Sequence, residues 1–184
     1  VVLVPSILQS SPIIRNSPPN PYIIALFNNA VVGNLLVYIQ VNDDSVTTPS
    51  GWTLVASQGT ITVYSRIASG TSADNFTYNG TTANILGLLL EYVNSSSIYT
   101  TTGGVFPTNN ISISVTGPSE LLYLIDTKNS NTQFCPPWVY FGGGIFGGRS
   151  SFIVQQTWPE SSATVTGGLV SEATSSNFLI CAIK

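Results

Sequence analysis

Short runs of Val, Ile, Leu, Tyr and Thr recur along the whole chain. Each is closed by a cluster of Gly, Pro, Asn or Ser, and no stretch sustains a helical period. Such a chain can satisfy its backbone only by pairing strands, so the pattern predicts an antiparallel all-β sandwich or barrel. The spacing places strands over 2–8, 22–27, 34–41, 52–57, 60–67, 75–79, 84–93, 110–116, 120–127, 137–141, 151–158, 163–170 and 177–183. Turns are expected at Pro49-Ser50-Gly51, Ser69-Gly70, Asn79-Gly80, Gly103-Gly104, Gly117-Pro118 and Gly167-Gly168, where Gly supplies positive φ and Pro presets its own.

The runs also repeat. Leu35-Leu36-Val37-Tyr38-Ile39 resembles Leu121-Leu122-Tyr123-Leu124-Ile125 at an offset of 86, and Trp52 meets Trp138 at the same offset. Phe76-Thr77-Tyr78-Asn79-Gly80 aligns with Ala163-Thr164-Val165-Thr166-Gly167, and Asn84-Ile85-Leu86 with Asn177-Phe178-Leu179. Residues 21–93 and 109–183 therefore read as two copies of one unit, each with a half-buried layer that needs the other to close a core. One sandwich is expected rather than two independent domains. The core positions are Leu35, Val37, Ile39, Trp52, Ile61, Val63, Leu86, Leu88, Leu90, Leu122, Leu124, Trp138, Ile153, Leu179 and Cys181.

Charge narrows the function. Only 7% of the 184 residues are charged, against about 25% in an ordinary soluble domain. Five Lys and Arg cannot neutralise a phosphate track, so nucleic acid is not an expected partner. Eight carboxylates and no His mean that strong acid adds little self-repulsion, which suits an acidic exterior. The longest apolar run, Ile85–Leu90, ends at Glu91, well short of the roughly 20 residues that span a bilayer. No Met or charged leader stands at Val1, and the chain is read as a mature, exported product.

Two cysteines, Cys135 and Cys181, fit a disulfide in an oxidising compartment, worth about 4 kcal/mol on the loop-entropy model. Four N-x-Ser/Thr sequons, at Asn75, Asn79, Asn94 and Asn110, point to N-linked glycans. Catalysis has little to work with. Without His, a Ser-His-Asp or Cys-His centre is excluded within the chain. Glu91 with Asp126 or Glu120 is the remaining carboxylate pair, and all three are expected at strand ends facing solvent. Asn42-Asp43-Asp44-Ser45 reads as a solvated turn rather than a calcium loop. Phe141-Gly-Gly-Gly-Ile-Phe-Gly-Gly-Arg149 lacks the Lys-Ser/Thr ending of a phosphate loop and reads as a flexible hairpin loop. Trp52, Trp138 and Trp158 are expected to pack in or at the rim of the core. No motif asks for a metal or a cofactor.

The opening segment stands apart. Residues 1–14 are not needed by the two-copy arrangement, and Ser17-Pro18-Pro19-Asn20-Pro21 would hold them extended. The apolar strand of Val1, Val2, Leu3, Val4, Ile7 and Leu8 must either fold back as an edge strand or complete the sandwich of another copy. Its buried face is either Val2, Val4 and Ile7 or Val1, Leu3 and Leu8.

The pattern Gly33-Asn34-Leu35-Leu36-Val37-Tyr38, Pro49-Ser50-Gly51-Trp52-Thr53-Leu54-Val55, Val63-Tyr64-Ser65-Arg66 and Leu88-Leu89-Leu90-Glu91-Tyr92 resembles a β-sandwich module of phage tail and secreted surface proteins. The whole chain is similar to the subunits of archaeal threads, thin glycosylated filaments of thermoacidophiles. It shares their apolar N-terminal strand, all-β head, sequons and minimal charge. That resemblance implies donor-strand assembly, with residues 1–14 of one subunit in the groove of the next.

The expectation is a pilin- or jelly-roll-like antiparallel β-sandwich head, residues 21–184, with a detached donor strand and linker, residues 1–20. Its expected role is non-catalytic: an extracellular, glycosylated filament polymerising head to tail with itself. The rival is a carbohydrate- or receptor-binding module of a virion or cell surface, using exposed Trp or Tyr and loop 142–149.

Overall fold

The computed structural model describes residues 3–16, 21–41, 46–80, 85–105, 111–127, 133–134, 139–146, 149–158, 163–167, 169–170 and 177–184. It is an all-β antiparallel sandwich. In chain order its strands are β1 (Ser6–Ser10), β2 (Ile14–Asn16), β3 (Tyr22–Ile24), β4 (Leu35–Val41), β5 (Thr53–Gln58), β6 (Ile61–Ile67), β7 (Phe76–Tyr78), β8 (Ile85–Val93), β9 (Ile98–Val105), β10 (Ile111–Val115), β11 (Ser119–Thr127), β12 (Gln133–Phe134), β13 (Val139–Phe146), β14 (Arg149–Trp158), β15 (Ala163–Gly167), β16 (Leu169–Val170) and β17 (Asn177–Ile183).

The internal repeat is real and wider than the sequence suggested. One sheet runs β1-β8-β4-β6-β5, with β2 continuing β1 along the same edge of β8. The other runs β9-β17-β11-β14-β13, which is the same order in the second copy. Each copy adds a two-stranded ribbon, β3 with β7 and β10 with β15. Contacts between the copies are reciprocal: β5 lies against β9 and β17, and β13 against β2 and β8. An approximate two-fold relation follows.

β1 is therefore not a supernumerary strand. It is the first strand of copy one and the counterpart of β9, and it pairs with its own chain's β8, Ser6 opposite Val93 and Ser10 opposite Leu90. The detached donor strand over residues 1–20 is corrected accordingly: Ser6–Asn16 belongs to the sheet that 21–184 was expected to build alone. The two units span residues 6–93 and 98–183 rather than 21–93 and 109–183.

Why these strands carry continuous apolar runs is plain from the layers. A strand covered on one face alternates, whereas one covered on both faces need not. Leu35, Val37, Ile39, Leu86, Leu88 and Leu90 of one sheet meet Leu122, Leu124, Ile153, Leu179 and Cys181 of the other. The alternate residues Leu36, Tyr38, Tyr64 and Leu89 are covered from outside by Ile24, Phe76 and Tyr78 of the ribbon. Phe76 stacks on Tyr38 at 3.6 Å between ring centroids and meets Trp52 edge-on at 5.2 Å. Trp52 thus packs in this outer layer rather than between the sheets. Trp138 lies outside the described residues. The remaining expected core positions fill the inter-sheet layer.

Each of the four sheet edges carries a β-bulge. The extra residue is Leu8 on β1, Val55 on β5, Tyr99 on β9 and Phe141 on β13, while the central pairings run without a break. Bulges twist an edge out of flat register and block further pairing. With almost no Lys or Glu to spend on edges, the fold protects them by geometry. The bulges also fix the correspondence of the copies. Ile39 pairs with Val63 and Leu88, and Leu124 with Ile153 and Leu179, so β4 maps on β11 at an offset of 85. The offset of 86 matched Leu35, which faces the other sheet, with Leu121, which faces outward, and a one-residue slip inverts every side chain.

Because each copy's inner face is covered only by the other, the chain should unfold in one cooperative transition. Leu88→Ala and its counterpart Leu179→Ala should each cost about 2–5 kcal/mol. Denaturant titration followed by Trp fluorescence and far-UV circular dichroism should give coincident curves; two separable transitions would contradict a shared core.

Candidate functional site

The N-terminal edge is held by polar groups as well as by the ladder. Ser11 donates its N–H to Leu89 O at 2.8 Å, and its hydroxyl accepts Leu89 N–H at 3.0 Å. Ile7 and Ile13 pack against the inter-sheet core. Ile13 lies over Gly142 of β13, where a Cβ would stand 2.7 Å from its Cδ1, so a larger residue there would have to push the end of the Ile13 side chain aside. The Gly run is largely strand: of the expected loop 142–149, residues 142–146 lie within β13 and Arg149 opens β14, and 147–148 lie outside the described residues.

Of the expected donor residues, Val1 and Val2 lie outside the described residues. Val4 and Ile7 are half-buried, whereas Leu3 and Leu8 are 63% and 51% exposed. The inward face is the one bearing Val4 and Ile7.

Glu91, expected at a solvent-facing strand end, is fully buried. Its Oε1 accepts Val31 N–H and Asn34 Nδ2–H, each at 2.7 Å, and its Oε2 accepts Gln9 Nε2–H. The same Gln9 amide brackets Asn28, donating to its carbonyl and accepting its N–H. One carboxylate thus ties β1, β8 and the loop 25–34 together. In copy two the equivalent position is Ala182, and the Tyr99 hydroxyl holds that corner instead, bonding Ser119 Oγ at 2.8 Å and accepting Thr116 N–H.

The loop that Glu91 anchors has no equal in copy two. Ten residues, 25–34, join β3 to β4, whereas only 116–118 join β10 to β11. Eight residues, 68–75, join β6 to β7, whereas 159–162 join β14 to β15. Asp74 stiffens the second loop: its carboxylate accepts the Ser69, Gly70 and Thr71 N–H groups and the Ser69 hydroxyl, and lies 3.4 Å from Arg66 Nε. The two loops border an open pocket of about 230 Å³. Phe27, Val31 and Val32 on the first are 76%, 55% and 72% exposed. Reading along the chain missed this site; comparing connection lengths between the copies would have found it.

Asp126 and Glu120 are also buried. Thr60 Oγ1 donates to Asp126, and Thr157 Oγ1 donates to Glu120 Oε2 at 2.8 Å. Glu120 faces the inter-sheet core where copy one has Leu35, whereas Glu91 faces the outer layer, so the carboxylates do not converge as a catalytic pair. Near Glu120 lies the Tyr92 hydroxyl, buried with no hydrogen-bond partner among the described residues, and Tyr92 in turn neighbours the Cys181 thiol. Burial pushes that thiol up to about 12, so it stays protonated. Cys181 is a free thiol inside the core; Cys135, its expected disulfide partner, lies outside the described residues.

Among the sequons, Asn79 and Asn94 are exposed and Asn75 is half-buried, its carbonyl accepting Trp52 Nε1–H; Asn110 lies outside the described residues. Asn94 has φ +58°, a left-handed conformation that Asn tolerates. Asp43 and Asp44 also lie outside them. Among the described residues no group of His, Cys, Asp or Glu could hold a metal ion, and no helix is long and apolar enough to cross a membrane. Against known protein families, curated proteins and solved structures, the chain matches none.

The buried carboxyls set a pH dependence. Burial lifts Glu120 to about 7 from 4.5, the Thr157 bond opposing in part. Its proton is held by the folded state, so its contribution is complete below pH 4.5 and is lost as pH rises through 7, about 3 kcal/mol in all. Asp74 works in the other direction. Burial alone would raise it, but the Ser69, Gly70 and Thr71 donors together hold it below its ordinary 3.8, so its contribution fades in stronger acid. Stability should peak between about pH 4 and 5. Glu120→Gln should remove most of the decline toward neutrality in urea midpoints measured across that range; an unchanged decline would assign it to other groups.

Proposed function

We propose that the chain is a non-catalytic structural subunit of an extracellular, thread-like filament, and that neighbouring subunits are joined by exchange of the segment 3–16. The observation that carries this reading is the edge position of that segment. It pairs with one strand only, is broken at Leu8 and again at Pro12, and is joined to the body through the proline-rich stretch 17–21. Every contact it makes within the chain can be made identically with β8, β13 and the loop 25–34 of a second copy. β9, its counterpart, follows β8 after only four residues, 94–97, and has no such reach.

Other features support an exterior setting. A charged fraction of 7% with eight carboxylates leaves little to repel in acid, and the Glu120–Asp74 balance favours the folded state on the acidic side. Exposed Asn79 and Asn94 give glycans room outside the sheets. Among the described residues, Glu91 and Glu120 point to opposite faces of the sheets and do not form an acid–base pair. The bulged edges disfavour edge-to-edge pairing of sheets, which leaves exchange of a whole strand as the ordered route to a polymer.

The test places cysteines at the opposed pair Ser6→Cys and Val93→Cys, in a chain also carrying Cys135→Ser. Oxidation after assembly at acidic pH should give a ladder of covalent oligomers on a denaturing gel, and each single variant should give none. A purely monomeric crosslinked product, with no fibres by electron microscopy, would overturn strand exchange.

A further inference from the structure

We propose that the two loops peculiar to the first copy, residues 25–34 and 68–75, form a binding site for a neutral saccharide. The duplication supplies its own control. The two copies share sheet order, bulges and one ribbon each; copy two adds the ribbon β12–β16, and copy one is longer at two connections. Those two connections, far apart in sequence, meet around one open pocket. Loops mounted on a rigid sheet are where binding resides.

The chemistry of the lining defines the ligand. Asn28, Asn29, Thr71, Ser72 and Asn75 present carboxamides and hydroxyls, which both donate and accept. The side chains of Asn29, Ser72 and Asn75 make no hydrogen bond with the described residues, so their capacity is available to a ligand. The one ionisable group in the lining is Asp74, and its oxygens are taken by Ser69, Gly70 and Thr71 beside Arg66. No free cation awaits an anion, and no free carboxylate awaits a cation. A volume of about 230 Å³ equals some seven or eight waters at ~30 Å³ each, the room that a single sugar ring needs. Phe27 stands at the rim, 76% exposed, an aromatic face of the kind that covers the C–H side of a pyranose.

The site is also held in shape before any ligand arrives. Glu91 fixes Val31 and Asn34, Gln9 fixes Asn28, and Thr71 caps the short 3-10 turn Ser72–Asp74 in a reciprocal capping box. Preorganised loops spare the ordering entropy that weakens small sites. Two sources could supply the same chemistry: a saccharide from outside, or a glycan carried by this protein, Asn75 itself lying in the lining.

The full chain, produced without glycans, would be titrated with neutral hexoses and N-acetylhexosamines at millimolar concentration. Amide chemical shifts of residues 25–34 and 68–75 would be followed, with uronic acids as the charged comparison. Neutral sugars should shift both loops and uronic acids should not. Phe27→Ala should weaken binding on the order of tenfold, and Phe27→Trp should restore it, with unchanged unfolding midpoints. The same titration of glycosylated chain separates the sources: retained binding identifies an external saccharide, and loss of binding with a glycan on Asn75 identifies the protein's own. Absence of any shift from neutral sugars in the folded, unglycosylated chain would overturn the proposal.

Discussion

Everything in this structure follows from covering four central strands on both faces. β4, β8, β11 and β17 have almost no surface exposed, and their sequences supply apolar side chains at nearly every position. A single sheet with such strands would present two adhesive faces and pair indiscriminately. Duplication solves one face, because each copy's sheet is the lid of the other. The ribbons β3–β7 and β10–β15 solve the second. What remains open is the edges, and there the fold places a bulge on each outer strand, always with the additional residue on the edge side. In a chain with so few charges, geometry takes over a task that Lys and Glu perform elsewhere.

The sequence revealed the class of fold and nearly the whole inter-sheet core, because long Val/Ile/Leu runs between Gly and Pro clusters leave little freedom. It concealed β9. Ile98–Val105 contains three Thr and two Gly, lies at an edge and is mostly half-exposed, so it lacks both alternation and apolar density. Gly103-Gly104 looked like a turn, yet both residues pair in register with β17, opposite Leu179 and Phe178. That omission made the N-terminal strand look like an extra element. Once β9 exists, β1 has a counterpart and each copy is complete. The side of burial for Glu91, Glu120 and Asp126 was equally hidden, since their donors Gln9, Val31, Thr157 and Thr60 come from distant segments.

Duplication also explains where novelty sits. Positions that hold the sheets together are apolar in both copies, whereas the exceptions occur singly. Glu91 answers to Ala182, and Glu120 answers to Leu35. The first carboxylate anchors an enlarged loop, and the second makes the core sensitive to pH. One copy can take on such a burden because the other keeps an ordinary solution at the same place, and the two-fold contact tolerates a difference that neither strand pairing nor bulge position feels.

The proposed strand exchange would add no contact that the folded chain lacks, so its free energy would depend on two opposing terms. Closing the segment 3–16 on its own sheet gains from a high effective concentration, because the connection to β3 is short. The same shortness, with Pro18, Pro19 and Pro21 in the joint, restricts how the chain can turn back and lessens that gain. Between subunits the joint can run extended, and the loss is one of translational freedom, which falls as concentration rises. In the proposed exchange the equilibrium would therefore be poised by the linker rather than by the interface. Loosening residues 17–21 would favour the closed monomer, while the bulges at Leu8 and Tyr99 prevent a half-way state in which edges merely adhere. A polymer built this way has one geometry per joint, set by the same Ile13–Gly142 contact and the same Gln9–Glu91 clasp that close the monomer.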